Sequence, residues 1–202
     1  MARGRYIVLE GSEGCGKSTH AARLGAELGA VVTRETGGTE IGRLIRNVLH
    51  DPSHTHLAAK AEALLIAADR AQHMAEVVEP ALSTGRHVVS DRSVFSSLAY
   101  QAYGRGLPVD TVSAVNDWAL EGRWPELVLL LDVPAAQLAA RLQRRELDRF
   151  ERESVEFHDR VRAAFLEMAE ADPGRWVVVD ANRNHSDVAS AIRSAVSERL
   201  GL

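Results

Sequence analysis

Cysteine, aromatic residues and long apolar runs are scarce in this chain of 202 residues. Cys15 is the only cysteine, so a fold that depends on disulfide bonds within the chain is excluded. No apolar run approaches the roughly 18 residues that a membrane-spanning helix requires. The opening residues, MARGRYIVLE, carry no signal-peptide pattern and lead directly into an apolar stretch. A cytoplasmic location without a membrane partner is therefore expected.

Net positive charge is also missing. The formal charge is −4, whereas a general nucleic-acid binder usually has a basic surface. Hydrophobic residues make up 46% of the chain and charged residues 26%, which are values typical of globular proteins. The length predicts a single domain over residues 1–202 with a small lid at most, and the charge argues against a nucleic-acid partner.

The clearest motif is the glycine-rich stretch GSEGCGKST at residues 11–19. It matches the pattern G-x-x-x-x-G-K-[ST], and it lies between an apolar run and a helical pattern. In this setting backbone N–H groups surround a polyphosphate, Lys17 reaches the β- and γ-phosphates, and the Ser18 hydroxyl holds Mg²⁺. A glycine-rich turn of an unrelated α/β domain is the alternative. The predicted ATP-binding residues are Gly11, Ser12, Glu13, Gly14, Cys15, Gly16, Lys17, Ser18 and Thr19.

Apolar runs and helical patterns alternate along the rest of the chain. After the first run at 6–9, further strands are predicted at 30–34, 86–90, 126–131 and 176–179. This alternation predicts a three-layer α/β/α domain with a five-stranded parallel sheet. Asp91 follows the third strand, at the sheet edge where ligands of such folds bind. A carboxylate in this position holds Mg²⁺ directly or through water, so Ser18 and Asp91 are the predicted metal ligands.

Two segments allow more than one interpretation. The helical pattern at 57–82 places Leu64, Leu65, Ala68 and Gln72 on one side, which fits either a subunit interface or an ordinary buried helix. The segment at about 141–153 is rich in arginine and interleaved with acidic residues. It fits either a solvated helix with ion pairs or a mobile lid that brings guanidinium groups to transferring phosphates.

Five stretches, in order, resemble bacterial thymidylate kinases, which are P-loop kinases that phosphorylate dTMP with ATP. The resemblance covers nearly the whole chain, and its second and third stretches are more selective than the phosphate loop. The stretches are YIVLEGSEGCGKST (6–19), TRETGGT (33–39), DRSVFSSLAYQ (91–101), LDVP (131–134) and ELDRFERES (146–154). The resemblance implies the nucleoside monophosphate kinase fold of P-loop NTPases, ATP and dTMP as substrates, Mg²⁺, and a homodimer.

The resemblance also implies roles for single residues. Glu13 corresponds to the carboxylate that contacts the sugar 3′-hydroxyl, and Arg70 to the arginine that bonds the thymine edge. Arg46 and Arg92 correspond to arginines that hold the dTMP phosphate, and Tyr100 lies where a ribose 2′-hydroxyl would clash. The implied dTMP-binding residues are Glu13, Arg46, Ile66, Arg70, Arg92, Ser96, Ser97, Tyr100 and Gln101.

The phosphate loop contains no arginine, so the chain is similar to those family members whose lid supplies the catalytic arginines. The implied catalytic residues are Lys17, Arg92, Arg144, Arg145, Arg149 and Arg152. Three positions depart from the family pattern. Thr36 stands where proline is usual, Ser93 where an aromatic residue is usual, and Ile66 where phenylalanine stacks on the base. Isoleucine packs against a ring without aromatic stacking, which is worth about 1 kcal/mol.

The sequence therefore predicts Mg²⁺-dependent transfer of the ATP γ-phosphoryl group to dTMP. Ile66 and Ser93 leave open a kinase of another nucleoside monophosphate or of a modified deoxynucleotide. A GTP-binding switch is disfavoured because the N-K-x-D and D-x-x-G strings do not occur. A nucleotide-binding protein without catalysis is disfavoured because Lys17, Ser18, Asp91 and Arg92 are all present.

Overall fold

The computed structural model describes residues 3–134, 137–138 and 148–202, and within them one parallel sheet of five strands is formed. The strand order is β2-β3-β1-β4-β5, and every neighbouring pair is parallel. The predicted α/β class is confirmed, and the strand ends differ from the predicted ones by no more than about two residues. The strands are β1 Tyr6–Glu10, β2 Val31–Arg34, β3 Val88–Asp91, β4 Leu127–Asp132 and β5 Trp176–Asp180.

Helices connect the strands and cover both faces of the sheet. Several begin at residues whose side chains accept a backbone N–H, which satisfies a donor that the first helical turn leaves free. Thr39, Ser154 and Asn184 are such caps. The α-helices of the described residues are α1 Lys17–Leu28, α2 Glu40–His50, α3 Ala59–His73, α4 Glu79–Ser83, α5 Val94–Ser97, α6 Val109–Leu120, α7 Val155–Ala171 and α8 His185–Leu200. Two π-helical turns lie at Met74–Val78 and Leu98–Gly104.

The core is divided into two parts by the sheet. On one face, Tyr6 and Val8 of β1 belong to a cluster that includes side chains of α3, α6 and α7. On the other face, Ile7 and Leu9 belong to a cluster that includes side chains of α1 and α8. Because β1 is buried on both sides, its sequence is uniformly apolar up to Glu10, as expected for a central parallel strand. Within the described residues, no helix has the length and apolar character needed to cross a bilayer.

The long helical pattern at 57–82 is only partly as predicted. The structure divides it into α3, a π-helical turn and α4, and Leu64 of α3 is 58% exposed. The same helix buries the charged side chains of Glu62, Asp69 and Arg70. Helix α3 therefore directs charged side chains toward the interior of the protein, where residues of other elements form ion pairs or hydrogen bonds with them.

The carboxyl ends of three strands meet at one edge of the sheet. Asp91 at the end of β3 pairs in register with Leu9 of β1 and with Arg34 of β2. The glycine-rich loop after β1, Glu35 after β2 and Arg92 after β3 consequently lie side by side. In parallel α/β sheets this edge is where ligands bind.

Candidate active site

The glycine-rich loop wraps closely around the end of β1. A Cβ atom on Gly11, whose φ is +137°, would lie only 2.5 Å from the Leu131 carbonyl oxygen, so the loop can take this course only with glycine there. Lys17 at the start of α1 is buried, and its Nζ donates to the carbonyl oxygens of Gly11 at 3.0 Å and Ser12 at 2.8 Å. The loop and Lys17 thus present backbone N–H groups and an ammonium group to one place, as a polyphosphate requires.

Ser18 and Asp91 lie together beside this loop. The Ser18 hydroxyl donates to Asp91 Oδ2, whereas the other carboxylate oxygen, Oδ1, is buried without a hydrogen-bond partner. A buried carboxylate oxygen needs a partner, and hard oxygen ligands such as these suit Mg²⁺. No group of three or more His, Cys, Asp or Glu side chains in the described part of the chain is arranged to hold a metal ion alone. The pair therefore fits a magnesium ion that takes its remaining ligands from phosphate oxygens and water.

Arg92 and Glu13 form an ion pair across the mouth of the loop. Arg92 Nη1 also donates to Ser96 Oγ at 2.9 Å, and Nη2 donates to Tyr100 Oη at 3.1 Å. Burial opposes ionisation of Glu13, but the charges of Arg92 and Lys17 outweigh it and hold the pKa of Glu13 well below its ordinary value. Glu13 is therefore a carboxylate at neutral pH, and Arg92 is fixed in direction by three partners.

A second carboxylate, Glu10, is fully buried and is linked to Arg92 through the Ser96 hydroxyl. It accepts hydrogen bonds from the hydroxyls of Ser93 and Ser96, each at 2.7 Å. Ser93, where an aromatic residue is usual in the family that the sequence resembles, thus contributes a hydroxyl to the support of the site. Burial raises the pKa of Glu10 in spite of the nearby Arg92 charge.

Arg70 lies at the other end of the site with an exposure of only 1%. Its Nε donates to Glu35 Oε2 at 2.9 Å, and its Nη2 lies 2.8 Å from the same oxygen. The second oxygen of Glu35 is 3.0 Å from Nδ1 of His73. Burial disfavours the charged form of Glu35, but Arg70 and His73 together lower its pKa. The buried guanidinium is therefore paired with a carboxylate, and this pairing offsets the free-energy cost of removing the guanidinium from water.

These groups surround one cavity of about 420 Å³. Its cationic side chains, Lys17, Arg34, Arg46, Arg70 and Arg92, outnumber its carboxylates, which favours an anionic ligand. Many of the residues that the sequence analysis assigns to ATP, metal or dTMP line this cavity. They are Glu13, Gly14, Gly16, Lys17, Ser18, Thr19, Arg46, Ile66, Arg70, Asp91, Arg92, Ser96, Ser97, Tyr100 and Gln101. Gly11, Ser12 and Cys15 belong to the loop but do not line the cavity.

The predicted lid arginines are placed differently from one another. Arg144 and Arg145 lie outside the described residues. Arg149 is 9% exposed, its Nε donates to the Leu49 carbonyl oxygen at 2.7 Å, and its Nη2 lies 2.6 Å from Glu62 Oε2. Its guanidinium is thus engaged with α2 and α3 and does not line the cavity. Arg152 is exposed.

Comparison with known proteins agrees with this geometry. The family model described as thymidylate kinase matches residues 9–192. A thymidylate kinase of Desulforudis audaxviator is 47% identical over 203 residues, covering 98% of this chain and 92% of that protein. A thymidylate kinase of Chromobacterium violaceum is 48% identical over 200 residues, covering 95% and 93%. The chain belongs to the thymidylate kinase family.

A solved structure supports the same assignment. The crystal structure of thymidylate kinase from Ehrlichia chaffeensis superposes with a TM-score of 0.80 at 27% identity, covering 96% of this chain and 99% of that one. The predicted nucleoside monophosphate kinase fold of the P-loop NTPases is thereby confirmed. As a thymidylate kinase family member, the chain is a phosphotransferase, and the predicted enzyme class and function are confirmed at that level.

Some residues that line the cavity are missing from the sequence prediction. Glu35, His50 and Phe150 line the cavity as well. Glu35 stands in the TRETGGT stretch directly after β2, so its position at the sheet edge was a signal that could have identified it. Phe150 was harder to find, because it lies near the end of the chain segment between β4 and α7. Its ring is 6.0 Å from that of Tyr100, so the cavity retains aromatic rings even though Ile66 is aliphatic.

The structure also shows the local backbone at Thr36, one of the three positions that depart from the family pattern. Thr36 stands where proline is usual, and the Glu35–Thr36 peptide bond is cis. The Thr36 carbonyl oxygen accepts a hydrogen bond from Arg46 Nη1 at 3.1 Å. This contact directs the Arg46 side chain from α2 toward the cavity.

Proposed function

We propose that this chain transfers the γ-phosphoryl group of ATP to the 5′-phosphate of dTMP, giving ADP and dTDP. One observation carries the proposal: a single cavity joins the Lys17 phosphate loop to the arginines at positions 46, 70 and 92. Two polyanionic substrates placed end to end require this distribution of positive charge. The relatives that match the chain over nearly its whole length are thymidylate kinases, which supports dTMP as the acceptor.

The donor end binds ATP. The loop residues 11–19 provide backbone N–H groups for the β- and γ-phosphates, and Lys17 exchanges its carbonyl partners on the loop for phosphate oxygens. Ser18 and Asp91 would hold Mg²⁺, which neutralises charge that develops on the phosphate oxygens. The free Oδ1 of Asp91 supports this part of the proposal.

The acceptor end binds dTMP. Arg92 and Arg46 hold its phosphate, and Glu13 contacts the sugar 3′-hydroxyl. An ionised Glu13 is compatible with this task, because Arg92 and Lys17 keep its pKa low. Arg70 donates to the thymine edge from the far wall. Ile66, Ser96, Ser97, Tyr100 and Gln101 enclose the base and the sugar.

The chemistry is a displacement at phosphorus. An oxygen of the dTMP phosphate forms a bond to the γ-phosphorus while the bond to the β-phosphate oxygen breaks, and ADP leaves. The attacking oxygen is already anionic, so no side chain needs to remove a proton. Lys17 and Arg92 stabilise the charge spread over the transferring group, and catalysis is mainly positioning and neutralisation of charge.

The lid is proposed to supply further positive charge from Arg144, Arg145 and Arg152. Arg149 is a weaker candidate for this role than the sequence suggests, because its guanidinium is buried against Glu62 and the Leu49 carbonyl oxygen. Arg149 instead ties the C-terminal part of the lid to α2 and α3. Closure of the lid would exclude water, which otherwise hydrolyses ATP.

A coupled assay of ADP release tests the proposal. ATP and Mg²⁺ are supplied with dTMP, dUMP, the ribonucleotide of thymine, dCMP, dGMP or AMP in parallel. We expect dTMP to give the highest kcat/KM by a wide margin. If another nucleotide gives the highest value, the phosphate chemistry stands and the base assignment is wrong. If none is phosphorylated, the proposal fails.

A kinase of another nucleoside monophosphate is the second candidate. The observation that favours it is Ile66, which lines the base end of the cavity with an aliphatic side chain. The same panel decides between the two candidates, because only the preferred acceptor differs.

We further propose that the chain forms a cytoplasmic homodimer through α2, α3 and α6. Helix α3 packs against both α2 and α6, so the three form one layer. Leu44 of α2 is 61% exposed, Leu64 of α3 is 58% exposed and Trp118 of α6 is 84% exposed. Large apolar side chains on neighbouring helices indicate an interaction surface. Light scattering coupled to size-exclusion chromatography tests this, with Leu64→Glu expected to shift a dimer toward the monomer and a monomeric wild type contradicting it.

A further inference from the structure

Asn116 is a buried amide on α6, with an exposure of only 2%. Within the described chain, α6 places no residue on the cavity lining. Asn116 Oδ1 accepts a hydrogen bond from Arg70 Nη1, and Nδ2 donates to the Val112 carbonyl oxygen at 2.7 Å. Together the two bonds fix the orientation of the amide. If it were reversed, two donors would face each other at Arg70 and two acceptors at Val112.

Most of the donors of Arg70 are occupied. A guanidinium has five N–H groups. Nε donates to Glu35 Oε2 at 2.9 Å, and Nη1 donates to Ser97 Oγ at 3.0 Å and to Asn116 Oδ1. Nη2 lies 2.8 Å from Glu35 Oε2 as part of the ion pair. Hydrogen bonds to described residues thus occupy Nε and Nη1 and fix the guanidinium, and Nη2 is the group that remains to donate to a ligand.

We infer that Asn116 is a positioning residue for base recognition, acting through Arg70 to aim its Nη2 group at the carbonyl group of the pyrimidine. The inference rests on the proposed function, in which Arg70 meets the thymine edge. Glu35 holds the guanidinium from one side, and Asn116 and Ser97 hold it from the other. Without the Asn116 oxygen, a buried Nη1 N–H loses its partner, and the guanidinium turns to find another acceptor.

Fixing Arg70 also bears on base selectivity. A guanidinium only donates, so it favours the thymine O4 carbonyl and disfavours the amino group at the same position of cytosine. If the guanidinium can move away from the base, dCMP binds with a smaller loss of affinity, because the Arg70 donor is no longer held against the amino group of cytosine. Asn116 therefore contributes to the preference for dTMP over dCMP, although it touches neither nucleotide.

Two substitutions separate the roles of the two ends of the amide. Asn116→Leu has a similar size and removes the oxygen that Arg70 uses. Asn116→Asp keeps an oxygen for Arg70 and removes the donor to Val112. We expect Asn116→Leu to raise KM for dTMP about tenfold while KM for ATP changes less than about twofold. The ratio of kcat/KM for dTMP to that for dCMP should fall about fivefold. Asn116→Asp should stay within about threefold of wild type in KM for dTMP.

A double-mutant cycle shows whether Asn116 acts through Arg70. In an Arg70→Ala background, Asn116→Leu should change KM for dTMP by less than about twofold, because the group that it positions is gone. Leu120→Val on the same helix is the control, since Leu120 is a fully buried apolar core residue whose side chain cannot hydrogen-bond to Arg70. It should lower thermal stability and leave KM for dTMP unchanged.

Several results would overturn the inference. They are an unchanged KM for dTMP in Asn116→Leu, an equal rise in both KM values, an undiminished effect in the Arg70→Ala background, or the same rise in Leu120→Val. If Asn116→Leu does not fold, Asn116→Ser is measured against the same criteria, because its short side chain also withdraws the oxygen from Arg70. Failure of the proposed function is seen separately, as no dTMP turnover by wild type or no effect of Arg70→Ala, and it overturns this inference too.

Discussion

The two ends of the cavity are built in opposite ways. The donor end, formed by Lys17, Ser18 and Asp91, comes mainly from one continuous loop and its backbone. The acceptor end gathers side chains from the segments after β2 and β3, from α2, α3 and α5, and from the π-helical turn after α5, with Asn116 of α6 behind them. Its charges are buried and paired, as Glu35 and Arg70 show. The donor end is therefore set by local sequence, whereas the acceptor end is set by tertiary packing.

This difference implies different consequences of mutation. In the proposed reaction a donor-end side chain acts on the transferring phosphoryl group, so its loss should reduce turnover with any acceptor. An acceptor-end side chain is also part of the buried polar structure, so its loss should reduce both stability and acceptor binding. The predictions below test this contrast, from the largest expected effect to the smallest.

Lys17→Ala should give the largest effect. We expect kcat to fall about a thousandfold, or about 4 kcal/mol, because the ammonium group that neutralises the transferring phosphate is removed. KM for dTMP should change little, because Arg46, Arg70 and Arg92 retain their contacts. Steady-state kinetics measures both, and circular dichroism checks folding.

Lys60→Ala is the matched control, because Lys60 is the only other lysine and lies exposed on α3. It should leave kcat and KM as in wild type. Near-normal turnover in Lys17→Ala would contradict the assignment of the phosphate loop and, with it, the contrast between the two ends.

Glu35→Ala should test the acceptor end. The substitution leaves Arg70 buried without its carboxylate, so we expect the free energy of unfolding to fall by about 3 kcal/mol. Urea unfolding measures it, provided that the m-value is unchanged. KM for dTMP should also rise, whereas the loss in kcat should be smaller than that of Lys17→Ala.

A surface ion pair provides the comparison. Glu27 contacts Arg23 at 3.1 Å and Arg193 at 3.2 Å, and its side chain is 32% exposed. Glu27→Ala should lower stability by less than about 1 kcal/mol, because water screens such pairs. Equal losses of unfolding free energy in Glu35→Ala and Glu27→Ala would mean that the buried ion pair of the acceptor end contributes no more to stability than a surface ion pair.

The contrast also explains what could be predicted from the sequence. The phosphate loop, the strands and Asp91 were predictable because each depends on a few consecutive residues, such as the apolar run of β1 before Gly11. Helix α3 was harder. Its exposed Leu64 and buried Glu62 reverse the usual pattern, because the partners of Glu62 come from distant positions, including Arg105 and Arg149.

Asn116 shows the same limit more sharply. Nothing in the sequence of α6 distinguishes its asparagine from one that caps or faces water. Only the packing of α6 on α3 brings Asn116 to Arg70. Family resemblance identified Arg92 by its motif and Arg70 by its correspondence to a family arginine, but it did not reveal the residues that hold them.

The smallest expected effect is on the pH dependence of folding stability, and it concerns Glu10 and Glu13, two carboxylates that lie close together in the sequence. The pKa of Glu13 is lowered in the folded protein, so Glu13 adds stability above the ordinary carboxylate pKa of about 4.3, and this contribution is lost as pH falls toward the folded value. The pKa of Glu10 is raised by burial, so its contribution is present at low pH and is lost as pH rises through the folded value.

Glu13→Gln and Glu10→Gln should therefore differ from wild type with opposite slopes. As pH rises from about 3 to about 6, the stability of wild type relative to Glu13→Gln should increase, and that relative to Glu10→Gln should decrease. Thermal unfolding of the three proteins across this range measures both differences. Slopes of the same sign would show that the two carboxylates share one environment. Opposite slopes would show that the arginine and lysine beside Glu13 give it an electrostatic environment different from that of Glu10, although the charge of Arg92 acts on both carboxylates.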